Sequence, residues 1–317
     1  MTLNLLLKLL VAIVIVLSPI HKKSFASWQT PYGYANFGFK AITANHQKYN
    51  DRNLYGSLTK LGLTLEKEQP SHRICLNQSF AIQKAGNELA ECEDIWEYAE
   101  HDGTIAIALS DGATESSFAR EWAQKLVTTF VNQDNRISLH NDLTTWLLGL
   151  QTIWQKWLSQ QNLSWFAKRK AEQGAFATFL SLEISSNLQW ISLAVGDSCL
   201  FVVRDCTLQE SFPLHNSQEF NNRPRLVSSY AQLTNINTLK ALGHAQIGDR
   251  FYLTTDAIAC WIFKQLEASL NPWVKLEQIN SQDTFVRWVS ELRDRHEIVN
   301  DDTTLLCLEI QDASKIL

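Results

Sequence analysis

Three aspartates stand at the ends of apolar, strand-like runs that are widely separated along the chain. Asp111 ends one run and is followed by Gly112, Asp256 ends a second, and Asp301 stands just before a third. A carboxylate at the end of a buried strand has its backbone held by the sheet, and a following glycine lets a ligand approach the main chain closely. Oxygen ligands of this kind suit hard divalent cations. The three positions therefore predict one shared metal centre.

Composition narrows the class of protein. The chain has 317 residues, of which 45% are hydrophobic and 19% charged, values typical of a globular protein. Its net charge of −5 gives no electrostatic reason to expect nucleic-acid binding. The six cysteines are scattered without metal-ligand spacing, which argues against a zinc site and indicates buried free thiols.

The N-terminus carries a hydrophobic leader, predicted over residues 1–26. Residues 3–20 are almost entirely apolar, and a run of about 17–25 residues can span a bilayer. Residues 24–26 resemble a small-residue cleavage site, which would make the leader a secretory signal. The basic residues at 21–23 instead favour a membrane anchor with a cytoplasmic catalytic domain. A start assigned too early is the third reading, and the anchor is preferred among the three.

The remaining pattern predicts an irregular extension over residues 27–73 and then a layered domain. Apolar periodicity places helices and strands after residue 74. The predicted helices are Phe118–Phe130, Leu143–Ser159, Ser164–Glu172, Ala257–Ala268 and Asp283–Arg295, and the clearest strands are Ala175–Ile184, Leu188–Val195, Leu200–Val203 and Arg250–Leu253. Antiparallel-type strands with paired helices between them predict an α+β fold.

The order of several short motifs resembles the protein phosphatase 2C family, the PPM-type metal-dependent serine/threonine phosphatases, and most closely its compact bacterial branch. The resemblance covers residues 74–310 and rests on the sequence of motifs rather than on any single one. The motifs are Glu93-Asp94, Ser110-Asp111-Gly112, Gly174–Thr178, Ala194–Ser198 with Phe201–Arg204, Gly248–Asp256 and Asp301–Leu306.

The resemblance implies a fold and a site. The expected fold is a four-layer α-β-β-α sandwich over residues 74–312, with two antiparallel sheets flanked by helices and two Mn²⁺ or Mg²⁺ ions at one end. Carried over by position, Asp111 would bridge both ions, and Asp256 and Asp301 would complete the shell of one. Gly112 would offer its carbonyl, and Glu93 would act mainly through bound water.

The expected reaction is hydrolysis of phosphoserine or phosphothreonine on a protein, with Asp111 and Asp256 as the catalytic carboxylates. Two ions about 3.5–4 Å apart can activate a water and clamp the phosphoryl oxygens. Phosphoryl transfer needs little beyond positioning and charge neutralisation, so no Ser, Cys or His nucleophile is required.

Three departures from the family pattern keep an alternative open. Ala113 follows Gly112 where many members have His, no Arg lies just upstream of Glu93, and Ala257 follows Asp256 in place of Gly. The alternative is a catalytically silent phosphatase-like module that binds phosphoproteins or a partner.

Four further aspartates have simpler interpretations. Asp197 and Asp249 each follow a glycine and are predicted to be turn residues. Asp302 is predicted to cap the start of the last strand. Asp94 is a neighbour of the site whose role as a ligand stays open.

Overall fold

The computed structural model describes residues 29–30, 33–34, 72–101, 103–132, 143–221, 223–230 and 238–315. The chain divides into two compact units, Met1–Lys67 and Glu68–Leu317. In the first unit, β1 (Gln29–Thr30) and β2 (Gly33–Tyr34) pair antiparallel. The predicted leader and most of the predicted extension lie outside the described residues. Among the described residues no helix has the length and apolar character needed to cross a membrane.

The second unit contains the remaining strands and the helices. Its strands are β3 (His72–Ile82), β4 (Asp94–His101), β5 (Thr104–Asp111), β6 (Phe176–Ala177), β7 (Phe179–Ile184), β8 (Gln189–Val195), β9 (Cys199–Arg204), β10 (Thr207–Phe212), β11 (Val227–Ser228), β12 (Leu239–His244), β13 (Arg250–Thr254) and β14 (Thr303–Asp312). Its helices are α1 (Ala119–Val131), α2 (Leu143–Ser159), α3 (Trp165–Ala171), α4 (Asp256–Glu267), α5 (Pro272–Glu277) and α6 (Gln282–Asp294).

Ten of these strands form two five-stranded antiparallel sheets, and β6 pairs with β11 in a separate two-stranded sheet. One has the order β10-β9-β13-β14-β3 and the other the order β12-β8-β7-β5-β4. Every pairing within them is antiparallel. The predicted α+β class with two antiparallel sheets is therefore confirmed.

Alternating side chains on the strands create the layers. In β9, Leu200 and Val202 lie in the apolar cluster between the sheets, whereas Phe201 packs with α4, α5 and α6. In β5, Ile107 faces the other sheet and Ala108 packs with α1 and α2. Because successive strand residues point to opposite faces, one sheet can bury both of its faces. The order of layers is helices, sheet, sheet, helices.

The structure divides the run predicted as one strand from Ala175 to Ile184. β6 ends just before Thr178, and β7 begins just after it. Thr178 lies between the two strands, and its Oγ1 accepts a hydrogen bond from the Asp111 N–H at the end of β5. This break places the Thr178 hydroxyl against the backbone of Asp111.

Candidate active site

Asp111 lies at the last position of β5, and Thr178 holds its backbone on both sides. The Asp111 N–H donates to Thr178 Oγ1 at 2.9 Å, and the Thr178 N–H donates to the Asp111 carbonyl at 2.8 Å. Thr178 Oγ1 also lies 2.9 Å from Ser198 Oγ. The Gly174–Thr178 and Ala194–Ser198 motifs therefore act together to fix the position of Asp111.

Gly112 is required for close packing at this strand end. A Cβ at this position would lie 3.0 Å from the Cβ atoms of both Glu93 and Ala119. The Gly112 N–H donates to the Glu93 carbonyl at 3.2 Å, which brings the two segments together. The glycine thus lets Glu93 approach Asp111 along the backbone.

Asp94 lies directly opposite Asp111 on the neighbouring strand β4 and joins the two sheets. Its Oδ2 accepts hydrogen bonds from Thr255 Oγ1 at 3.0 Å and from Thr304 Oγ1 at 2.8 Å, both from the other sheet's side. The side chain is buried, and its Oδ1 has no hydrogen-bond partner. A buried acceptor without a partner is costly unless a ligand satisfies it.

Asp256 begins α4 at the end of β13, where the unpaired N–H groups of the helix favour negative charge. Burial nevertheless raises the pKa of Asp256 to about 6, with Asp301 adding to the rise and the Ala257 N–H opposing it. Asp197 is buried nearby in the turn between β8 and β9. Burial, together with the charge of Asp256, raises the pKa of Asp197 to about 7.

These side chains share one electrostatic environment. Burial raises the pKa of Asp111 well above its usual range, and the charges of neighbouring aspartates add to the effect; these are Asp94, Asp256, Asp197 and Asp301. Within the described part of the chain, no lysine or arginine forms an ion pair with Asp94, Asp111, Asp197 or Asp256. We refer to these four residues as the carboxylate cluster.

Glu93 and Asp301 lie at the edge of the cluster. Burial raises the pKa of the half-buried Glu93, opposed by a side-chain hydrogen bond with Thr114. Asp301 is more open, with a side chain 45% exposed and its Oδ1 3.9 Å from Lys84 Nζ. Asp301 is therefore partly accessible to solvent.

Asp302 is a structural residue, although it does not cap its own strand. Its Oδ1 accepts from the Lys84 N–H at 2.7 Å and its Oδ2 from the Glu93 N–H at 2.6 Å. It therefore fastens the segment between β3 and β4 to the end of the sandwich that carries the cluster. The predicted cap of the last strand is thus not formed, because the groups that Asp302 bonds belong to another part of the chain.

The donor set fits hard divalent cations by its chemistry, since its side chains are carboxylates and the Oδ1 of Asp94 lacks a partner. Among the described residues, however, no group of three or more His, Cys, Asp or Glu side chains is arranged closely enough to hold a metal ion. The charges of the carboxylates therefore influence one another, but the described carboxylates do not form a closed coordination shell.

A cavity of about 120 Å³ adjoins the cluster and gives access to Asp256 and Asp197. Phe220 and Lys264 also line this cavity. Sequence reasoning treated Asp197 as a turn residue only. The turn is present, but the side chain is buried against Asp256, and nothing in the Gly-Asp pattern signals that contact.

Comparison with known proteins agrees with this arrangement. The family model for protein phosphatase 2C matches residues 87–307. The fold is similar to that of the photosystem II phosphatase PBCP, with 15% identity, a TM-score of 0.51, and coverage of 76% of this chain and 100% of that one. It is also similar to the serine/threonine phosphatase of S. agalactiae, with 14% identity, a TM-score of 0.50, and coverage of 75% and 99%. No curated protein sequence gives a significant match.

The chain belongs to the protein phosphatase 2C family. It is a protein serine/threonine phosphatase, a hydrolase of phosphate monoesters, and metal dependence is general to this family. The family assignment favours the enzyme over the catalytically silent alternative.

Proposed function

We propose that the protein hydrolyses phosphoserine or phosphothreonine in phosphoproteins with a water activated by two Mn²⁺ or Mg²⁺ ions. The observation that carries the proposal is the carboxylate cluster. Placing several buried carboxylates side by side without a cation is strongly unfavourable, because each raises the free energy of ionising the others. Such an arrangement is typical of a functional site rather than of a structural ion-pair network.

Five residues would hold the ions. They are Asp111, Asp256, Asp301, Glu93 and Gly112, the last through its carbonyl oxygen. When bound, two such ions lower the pKa of a bridging water and neutralise the phosphoryl oxygens.

Other residues of the chain would orient this set. Thr178 and Ser198 fix the backbone of Asp111, so its carboxylate is presented from a rigid strand end. Asp94, with one oxygen bonded to two threonines, can offer only its Oδ1 towards the cluster. We assign Asp94 a positioning role, in which it accepts hydrogen bonds from groups or waters of the site. The cavity beside Asp256 would admit the phosphoryl group of the substrate.

Hydrolysis of a phosphopeptide by the full chain, with Mn²⁺ and with a chelator, tests the proposal. We expect activity only with the metal, and we expect Asp111→Asn to lower kcat by at least about a hundredfold. The matched control is Asp205→Asn, an exposed aspartate whose φ of 48° an asparagine tolerates. The proposal fails if the metal has no effect or if both variants behave alike.

A catalytically silent module would give a different result. Metal would bind to the parent protein and not to Asp111→Asn, yet neither a phosphopeptide nor an aryl phosphate would be hydrolysed. This outcome would retain the metal site and reject the reaction.

We further propose that residues 74–312 are the phosphatase domain and that residues 3–20 anchor it to a membrane on the cytoplasmic side. The charge of residues 21–23 supports this orientation. Sequencing the mature N-terminus and fractionating cells would test it. A mature chain that begins after residue 26 and is found outside the membrane fraction would contradict it.

A further inference from the structure

Helix α3 presents aromatic and basic side chains to solvent. Trp165 is 77% exposed and Phe166 is 64% exposed, and Lys168, Arg169 and Lys170 are exposed directly after them. Among the described tryptophans, Trp165 is the most exposed. Large aromatic side chains at such exposure usually have a binding role when they occur together.

The helix geometry places the two kinds of side chain on one outward face. Ala171 is buried and Ala167 is half-buried, so this side of α3 packs on the protein. Residues four apart share a helix face, which pairs Trp165 with Arg169 and Phe166 with Lys170 on the opposite side.

The aromatic pair is an ordered feature of the surface. The two rings contact edge to face, with centroids 6.0 Å apart. The Ser164 side chain caps the helix by accepting from the Ala167 N–H at 3.3 Å. Both contacts hold the aromatic side chains at the exposed N-terminal end of α3.

We propose that α3 is a contact surface for a membrane containing anionic lipids. Tryptophan and phenylalanine partition into the interface of a bilayer, and neighbouring Lys and Arg residues are attracted to its negative charge. An anionic membrane is the favoured occupant because three consecutive cations follow the two exposed aromatic side chains. Three adjacent cations on a chain with a net charge of −5 complement an anionic surface.

The proposal is independent of both the leader and the phosphatase reaction, so its test needs a local signal. Subtracting the fluorescence emission of Trp165→Phe from that of the full parent chain isolates the signal of Trp165. We expect this difference spectrum to shift to the blue with vesicles of phosphatidylcholine and phosphatidylglycerol, and brominated lipid to quench it. High salt should weaken the effect.

Two variants separate the basic contribution from a general surface effect. Arg169→Gln combined with Lys170→Gln should weaken the vesicle dependence of the Trp165 signal by about thirtyfold, since each cation contributes about a factor of five to six near such a surface. Lys240→Gln combined with Leu242→Ser is the matched control, because it alters an exposed basic and apolar pair on β12. Unchanged circular dichroism and thermal midpoints would show that both variants fold.

Three results would overturn the proposal. The first is an unshifted Trp165 signal with anionic vesicles. The second is an equal shift with phosphatidylcholine alone. The third is a shift that depends on protein concentration without vesicles, which would assign the surface to a second copy of the chain.

Discussion

The two ends of β13 treat an aspartate in opposite ways. Asp249 stands before the strand, is fully buried, and accepts a bidentate pair of hydrogen bonds from Arg204 at 2.6 and 2.8 Å. Asp256 stands after the strand, and its pKa is raised to about 6 with Asp301 and Asp197 as acidic neighbours. Strand β9 shows the same division, with Arg204 at one end and Asp197 beside the other.

The comparison shows what distinguishes a structural carboxylate from a functional one in this fold. Both follow the same local pattern, an aspartate beside an apolar strand, and both lose hydration on folding. At the Asp249 end the protein supplies the compensating cation itself. At the Asp256 end no described lysine or arginine forms an ion pair with the aspartate, and the proposed ions would supply the compensating charge.

Removing the internal cation should have the largest effect on stability. Arg204→Met leaves Asp249 buried without its partner, and we expect the free energy of unfolding to fall by about 3 kcal/mol. Urea denaturation measures the change. Adding Asp249→Asn should recover part of the loss. A single variant as stable as the parent would contradict the structural role given to the pair.

Removing one negative charge from the carboxylate cluster should raise stability, whereas removing the positive charge of Arg204 should lower it. Asp111→Asn removes a negative charge that its neighbours oppose, so the metal-free protein should become more stable while kcat falls at least about a hundredfold. Thermal unfolding with a chelator, measured beside phosphopeptide hydrolysis, checks both. A variant that lost activity and stability together would indicate misfolding instead.

The pH dependence of stability gives a third contrast. The pKa of Asp197 is raised to about 7 in the fold, so the folded state binds more protons than the unfolded state between about pH 4 and pH 7. The contribution of this group to stability is therefore complete below about pH 4 and is lost as the pH rises through about 7. Asp197→Asn should remove that part of the dependence, on the order of a few kcal/mol. Denaturation of the metal-free parent and variant across this range measures it, and parallel curves would contradict the prediction.

Asp94→Asn should have a smaller effect on catalysis. The amide keeps one oxygen for Thr255 and Thr304 but changes what is presented to the cluster, and loss of an orienting group costs about tenfold to a hundredfold in metal affinity or activity. We expect a weaker apparent affinity for Mn²⁺ and a loss of kcat at the low end of this range. An unchanged metal dependence would assign Asp94 to joining the sheets alone.

Much of the fold could be predicted because its signals are local. The periodicity that predicts a helix from Leu143 to Ser159 gives α2 with the same bounds. The outer bounds of the three strands predicted after residue 174 agree with those of β6 to β9 to within one residue. β12 and α5 are two of the elements that the sequence pattern does not predict. β12 lies at a sheet edge with most of its residues exposed, so it lacks the apolar alternation that marks a strand. α5 is short, although its cap Asn271 and its first residue Pro272 were readable signals.

Site residues could be predicted where their type and their position after an apolar run are visible in the sequence. They could not be predicted where their role depends on tertiary packing. Asp111 and Asp256 are visible as carboxylates after apolar runs. The contacts of Asp94 with Thr255 and Thr304 cross between the sheets and join residues 161 and 210 positions away. No local pattern carries that information, and the same holds for the burial of Asp197 against Asp256.

Calorimetric titration of Mn²⁺ into the full metal-free chain tests the central claim most directly. We expect two ions to bind to the parent and to Asp205→Asn, and binding to be lost or greatly weakened in Asp111→Asn. Equal binding by Asp111→Asn and the parent would contradict the claim that the carboxylate cluster is a metal centre.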